Sequence, residues 1–212
     1  MRILDFPETE RLLKKYKFPF VNTKLCQSKK EGFLFARKIG YPVVLKISSP
    51  DIVHKTELGL VKLNIKDKKE LEKNWDDILK VLKVKKIKFR GILVQKQKKG
   101  IEIAIGMKRD AQFGPVLMFG LGGIFIELLK DISLRISPIT KKEAKKMIRE
   151  IKAFPILEGF RGQKPVRLKN IIDIIMKVSD LSLREDKIKE IDLNPIIINE
   201  KETKVVDARI II

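Results

Sequence analysis

The 212-residue sequence predicts an α+β protein in two lobes. Helix-period stretches occupy the first 90 residues and recur after residue 140, whereas the middle third switches to alternating, period-two patterning. The alternating segments are joined by Lys98-Lys99-Gly100 and by residues 109–115, which suits antiparallel hairpins. Helix–strand–strand–helix runs around hairpins favour α+β over a doubly wound parallel sheet. The change of period places the lobe boundary near residues 88–90, giving lobes of about 1–88 and 89–212.

Thr9 or Glu8 opens a short amphipathic helix with Leu12, Leu13 and Tyr16 on one side, and Phe18-Pro19 ends it. Ser28 caps a helix over 29–39 that Gly40 closes, and residues 41–46 follow as a strand. A polar loop at 48–58 leads to a strand over 59–65, and Asp67 caps a helix over 68–82. Residues 89–97, 101–107 and 116–119 read as three strands. A glycine turn, Gly120-Leu121-Gly122-Gly123, leads into 124–129. Thr140 begins a Lys-rich helix running to about Ile151, and a loop at 159–165 precedes a helix over 168–183. Two strands, 188–198 and 204–211, close the chain around a turn at 199–202.

Hydrophobic residues make up 44% of the chain, enough for a folded core. Charged residues reach 35%, and the Lys/Ile/Glu bias resembles that of proteins from organisms growing at high temperature. The net charge of +20 is scattered in short lysine groups beside acids, and aromatics form only 7%, so no stacking platform for nucleic acid is visible. The single Cys26 excludes an intramolecular disulfide. With no secretory signal and no uncharged apolar run near the roughly 18 residues a bilayer requires, a cytoplasmic protein without membrane association is expected.

Three segments hold residues suited to chemistry. Lys46 ends an apolar strand, where its charge suits a nucleotide phosphate, and the one histidine, His54, follows in a polar loop beside Lys55 and Thr56. A neutral imidazole is a nucleophile toward phosphorus, although a solvated loop histidine has the same spacing. The glycine cluster 120–123 lacks both the Rossmann and the P-loop spacing, but clustered glycines after a strand let backbone N–H groups approach an anion. Downstream, Glu127 and Arg135 suit an anion site or a structural ion pair equally well. Alternation sends Glu190, Asp192 and Asn194 to one strand face, and the hairpin returns Asp207 beside them. Hard oxygen donors of this kind suit Mg²⁺, whereas one Cys and one His make zinc unsuitable.

Together SPDIVHKTELG, FGPVLMFGLGGIFIELLKD and EIDLNP with the later Asp207 resemble the ATP-grasp domain of NDP-forming acyl-CoA synthetases. The nearest resemblance is to the separate beta subunit of archaeal ADP-forming acetyl-CoA synthetases, over about residues 8–211. It implies an ATP-grasp fold of two lobes with the nucleotide between them. It further implies ATP/ADP and Mg²⁺ as cofactors, Lys46 as the ATP-binding lysine, His54 as a phosphorylatable relay, and Asn194 with Asp207 as Mg²⁺ ligands. Gln95 and Gln97 fall on the strand leading to the adenine pocket; Glu102, Glu127 and Arg135 are further nucleotide-site candidates. The family's histidine motif ends in Gly-Gly-Val, whereas Gly59-Leu60-Val61 stands here, so a bulky Leu60 bears on the loop. The CoA-binding portion is absent, so the resemblance implies a CoA-binding alpha-type partner in an α2β2 heteromer. The reaction implied is acyl-CoA + ADP + phosphate ⇌ carboxylic acid + CoA + ATP. Two rivals are a non-catalytic ATP-binding regulatory partner of the same fold and a basic nucleic-acid binding module.

Overall fold

The structure, a computed structural model, describes residues 1–49, 58–123, 126, 129–160 and 164–212. These form two compact units, one of residues Val21–Lys98 and one of Met1–Phe20 with Lys99–Ile212.

In the first unit β1 (Thr23–Cys26), β2 (Val43–Ser48), β3 (Val61–Ile65) and β4 (Gly91–Lys96) form an antiparallel sheet in the order β1-β4-β2-β3. Helices α2 (Lys29–Ile39) and α3 (Lys68–Val84) supply Ala36, Leu71, Trp75, Ile78 and Leu82 to its core. Both start where side-chain caps are available: Glu31 N donates to Ser28 Oγ and Glu70 N to Asp67 Oδ1. Strand β1 was not predicted; it pairs along β4 from Thr23–Gln95 to Cys26–Ile92.

The second unit begins with α1 (Phe6–Lys15). Its start lies upstream of the expected Thr9 or Glu8 because Asp5 and Glu8 form a capping box, each carboxylate accepting the other's backbone N–H at 2.9 Å. Strands β5 (Ile101–Asp110), β6 (Gly114–Leu121), β7 (Ile132–Ile136), β8 (Glu190–Ile198), β9 (Thr203–Val205) and β10 (Arg209–Ile211) follow, in the order β10-β8-β5-β6-β7 with β9 also on β8. Helices α4 (Lys141–Glu150), α5 (Phe154–Leu157) and α6 (Leu168–Arg184) complete the unit. Ala144, Met147 and Ile148 of α4 and Ile171, Ile174, Ile175 and Val178 of α6 pack with Ile103, Ile105, Met107, Leu117 and Phe119 of the sheet.

The division falls at 20/21 and 98/99 instead of near 88–90. The reason is hydrogen bonding: β4 pairs with β1 and β2, so it closes the first sheet instead of opening the second, and α1 packs with the second core. The last expected strand is also divided, into β9 and β10, by residues 206–208. Among the described residues no helix is long and apolar enough to cross a membrane.

Leu60 is fully buried in the first unit's core, and its carbonyl accepts from Ile47 N at 3.2 Å. The side chain that departs from the family's glycine is therefore core packing. Leu60→Ala should cost about 2–5 kcal/mol by leaving a cavity. Urea unfolding followed by circular dichroism reads this directly, and an unchanged midpoint would show that the site is not packed as described.

Candidate functional site

In the sheet of the first unit, Val43, Leu45, Ile47, Ile92 and Val94 join the helix-packed core. Alternation therefore assigns Val44, Lys46 and Ser48 of β2, and Leu93 and Gln95 of β4, to the opposite face. Lys46 pairs across with Leu93, and Val44 with Gln95, so cation and amide stand on neighbouring strands of one face. Both are nearly inaccessible, Lys46 at 7% exposure and Gln95 at 2%. Polar side chains are rarely buried to this degree without a purpose for their hydrogen bonds.

Gln95 Nε2 donates to Thr23 Oγ1 at 2.9 Å, and Thr23 Oγ1 donates to Val21 O at 3.0 Å. Thr23 is not legible as a site residue in the sequence, because the four residues of β1 are too few to show a strand period. Once β1 is in place, register alone sets Thr23 opposite Gln95. Gln97 serves differently from Gln95. Its Oε1 accepts from Asn64 N and its Nε2 donates to Asn64 Oδ1, both at 2.6 Å, so its amide clasps the end of β3.

In the second unit the chain brings Asn194 and Asp207 together through Pro195. Proline has no N–H, so the ladder is interrupted there, and the Pro195 carbonyl collects the N–H groups of both Val206 (3.0 Å) and Asp207 (3.3 Å). Strand β9 pairs with β8 before this point, from Ile198–Thr203 to Ile196–Val205, and β10 pairs after it, with Arg209 opposite Asp192. Asp207 thus stands at the break, its Oδ1 accepting from Ala208 N at 2.9 Å, next to the residue that follows exposed Asn194. The donors available there are an amide and a carboxylate, both hard oxygen ligands.

The glycine turn has a packing explanation. Gly122 N donates to Glu102 O at 2.7 Å, and a Cβ at Gly122 would lie 3.1 Å from Glu102 Cβ. A Cβ at Gly120 would meet Asp131 O at 2.9 Å. Gly122 N–H is therefore committed to a backbone carbonyl, and exposed Glu102 lies against the turn, its Oε2 3.5 Å from where a Gly123 Cβ would be. Arg135 forms an ion pair with Glu150 on α4 and donates to Leu134 O at 2.7 Å, a tie between β7 and that helix. His54 and Glu127 lie outside the described residues.

A family model described as an ATP-grasp domain matches residues 1–212. The chain is 47% identical over 214 residues to subunit beta of ADP-forming acetate–CoA ligase I from Pyrococcus furiosus, covering 100% of this chain and 92% of that one. The chain belongs to the ATP-grasp family, among the ADP-forming acetate–CoA ligase beta subunits. Among solved structures it is similar to acetyl-coenzyme A synthetase 1 of Ca. Korarchaeum cryptofilum in complex with coenzyme A, Ca-AMPCP and HgCl⁺. The TM-score is 0.95 and the identity 42%, over 100% of this chain and 93% of that one. A second structure of that enzyme holds coenzyme A and Mg-AMPPCP, with its phosphohistidine segment pointing towards the nucleotide binding site. It matches with a TM-score of 0.86 at 41% identity over 99% of this chain and 92% of that one.

Among the described residues of this ATP-grasp chain, no group of three or more His, Cys, Asp or Glu side chains is placed to hold a metal. The Asn194–Asp207 donor set nonetheless fits Mg²⁺, which keeps several waters and takes one or two carboxylates together with phosphate oxygens. Beside it stands Asp192, opposite Gly106 on β5. A cavity of about 500 Å³ lies there, lined by Gly106, Lys108, Met118, Leu134, Glu190 and Asp192 among others. Burial pushes the Asp192 carboxyl up from 3.8 to about 6; the charges of Glu190 and Asp207 add to this, and Arg209 opposes it.

A carboxyl whose folded pKa is raised costs stability when ionised. The cost is fully present above about pH 6, shrinks as pH falls through that value, and vanishes below 3.8. Asp192→Asn should therefore raise the melting temperature by a few degrees at pH 8. In buffer free of nucleotide and divalent cations, the gain should disappear by about pH 4. Calorimetric melting at the two pH values checks this, and a gain independent of pH would contradict it.

Proposed function

We propose that this chain is the nucleotide-binding subunit of an ADP-forming acyl-CoA synthetase that moves phosphate between a partner's phosphohistidine and ADP. The observation that carries the reading is its likeness, over 100% of this chain and 92% of that one, to subunit beta of such an enzyme. The buried pair Lys46 and Gln95 and the junction at Pro195 support it from the chain's own chemistry. The overall reaction is acyl-CoA + ADP + phosphate ⇌ carboxylic acid + CoA + ATP. A CoA-binding alpha-type partner forms the acyl phosphate and takes the phosphoryl group on its own histidine; an α2β2 assembly is the simplest stoichiometry.

Within this chain, Lys46 holds a nucleotide phosphate by charge from its buried place on β2, where the low dielectric strengthens the attraction. Asn194 and Asp207 hold Mg²⁺, which when bound neutralises phosphate charge and orients the oxygens during transfer. His54 accepts the phosphoryl group on an unprotonated ring nitrogen and passes it to ADP. Gln95 contacts the base. Glu102, Glu127 and Arg135 are further groups for the nucleotide, Arg135 being the one held in an ion pair by Glu150. Gln97 supports the same strand from its clasp with Asn64.

Reconstituted with the CoA-binding subunit, His54→Ala should lose ATP formation by about a thousandfold or more. Full activity in that variant would remove the relay role and leave direct transfer from the partner to ADP. Asp207→Asn should lower the rate by about a hundredfold and raise the Mg²⁺ concentration needed for half-maximal rate. A Mg²⁺ titration of ATP formation reads the second effect, and an unaltered titration would place the metal elsewhere.

A further inference from the structure

Thr23 and Gln95 settle each other's hydrogens. A threonine hydroxyl has one hydrogen and two lone pairs, and the Thr23 hydrogen goes to the buried Val21 carbonyl at 3.0 Å. Only lone pairs then remain to face Gln95, so the carboxamide has to present its N–H, and Nε2 lies 2.9 Å from Thr23 Oγ1. This accounting assigns the two ends of the amide independently of how they look in outline. The nitrogen faces β1, and the oxygen, bonded to the same carbon, is turned away from it. At 2% exposure the amide has little water to exchange with, so reversing it would set its oxygen against the lone pairs of Thr23.

We propose that Thr23 is a positioning residue for base recognition: by holding the Gln95 amide nitrogen, it presents the amide oxygen as a fixed acceptor and selects a 6-aminopurine nucleotide over a 6-oxopurine. The inference rests on the reading of Gln95 as part of the nucleotide site. A 6-amino group donates a hydrogen bond and a 6-oxo group only accepts, so an acceptor that cannot turn rejects the second by leaving two oxygens opposed. A carboxamide free to flip would serve either base. The selectivity therefore belongs to the hydroxyl of Thr23 as much as to Gln95. Sequence register supports the assignment, because Thr23 and Gln95 are direct partners across β1 and β4 and share the face that also carries Lys46.

Isothermal titration of the full chain with Mg-ADP and with Mg-inosine 5′-diphosphate tests this. The wild-type chain should bind ADP about tenfold or more tightly than the inosine nucleotide. Thr23→Val keeps the shape but removes the hydroxyl, and should bring the ratio toward one. Thr23→Ser should keep the wild-type ratio, which a merely structural role would not require. Gln95→Met should also erase the ratio, and it carries the test should Thr23→Val fail to fold. Equal wild-type affinities, or a folded Thr23→Val or Gln95→Met chain with the wild-type ratio, would overturn the proposal and leave the nucleotide site standing. Binding of neither nucleotide would overturn both.

Discussion

Each sheet packs helices against one face, and everything else about the candidate site depends on that one-sided packing. Along a strand successive side chains point to opposite faces, so once Val43, Leu45 and Ile47 are committed to α2 and α3, Val44, Lys46 and Ser48 have to occupy the other side. The same division in the second unit commits Ile103, Ile105 and Met107 to α4 and α6, and assigns Glu102, Gly106 and Lys108 to the opposite face, with Asp192 beside Gly106. A one-residue slip in any of these strands would exchange core for chemistry. The hydrophobic effect thus fixes the register, and register positions the polar groups.

Within that scheme the two units place polar groups by different means. Lys46, Gln95 and Thr23 stand on regular strands, where the ladder sets their spacing. Asn194 and Asp207 stand where the ladder fails. Pro195 cannot donate, its carbonyl takes two N–H groups, and the chain between β9 and β10 turns Asp207 toward the residue beside that carbonyl. A local defect in hydrogen bonding so becomes a junction of oxygen donors. The neighbouring Asp192 carries the electrostatic consequence, since a half-buried carboxyl near Glu190 and Asp207 resists ionisation.

Several residues that look alike in sequence separate by role in the fold. Gln95 and Gln97 are two apart and share a strand parity. One is buried and tied to Thr23, whereas the other lies past the end of β4 and clasps Asn64. The glycines at 120 and 122 are required by close approach to Asp131 and Glu102. Arg135 is engaged by Glu150 across β7 and α4. Leu60 fills the core of the first unit, so its departure from the family's glycine acts through packing in that unit.

The sequence by itself determined the α+β class, most strand and helix positions, the caps at Ser28, Asp67 and Thr140, and the family, because these follow from local periodicity, capping chemistry and motif order. It also singled out Lys46, His54, Asn194 and Asp207 by residue type, and Gln95 through the family resemblance. Only the tertiary structure decided that β4 belongs to the first unit, that α1 belongs to the second, that residues 204–211 divide at Asp207, and that the Gln95 amide donates to Thr23. Each of these depends on pairing between segments far apart in the chain. Thr23 and Gln95 are separated by 72 positions, and no pattern within either strand records which lone pair meets which hydrogen.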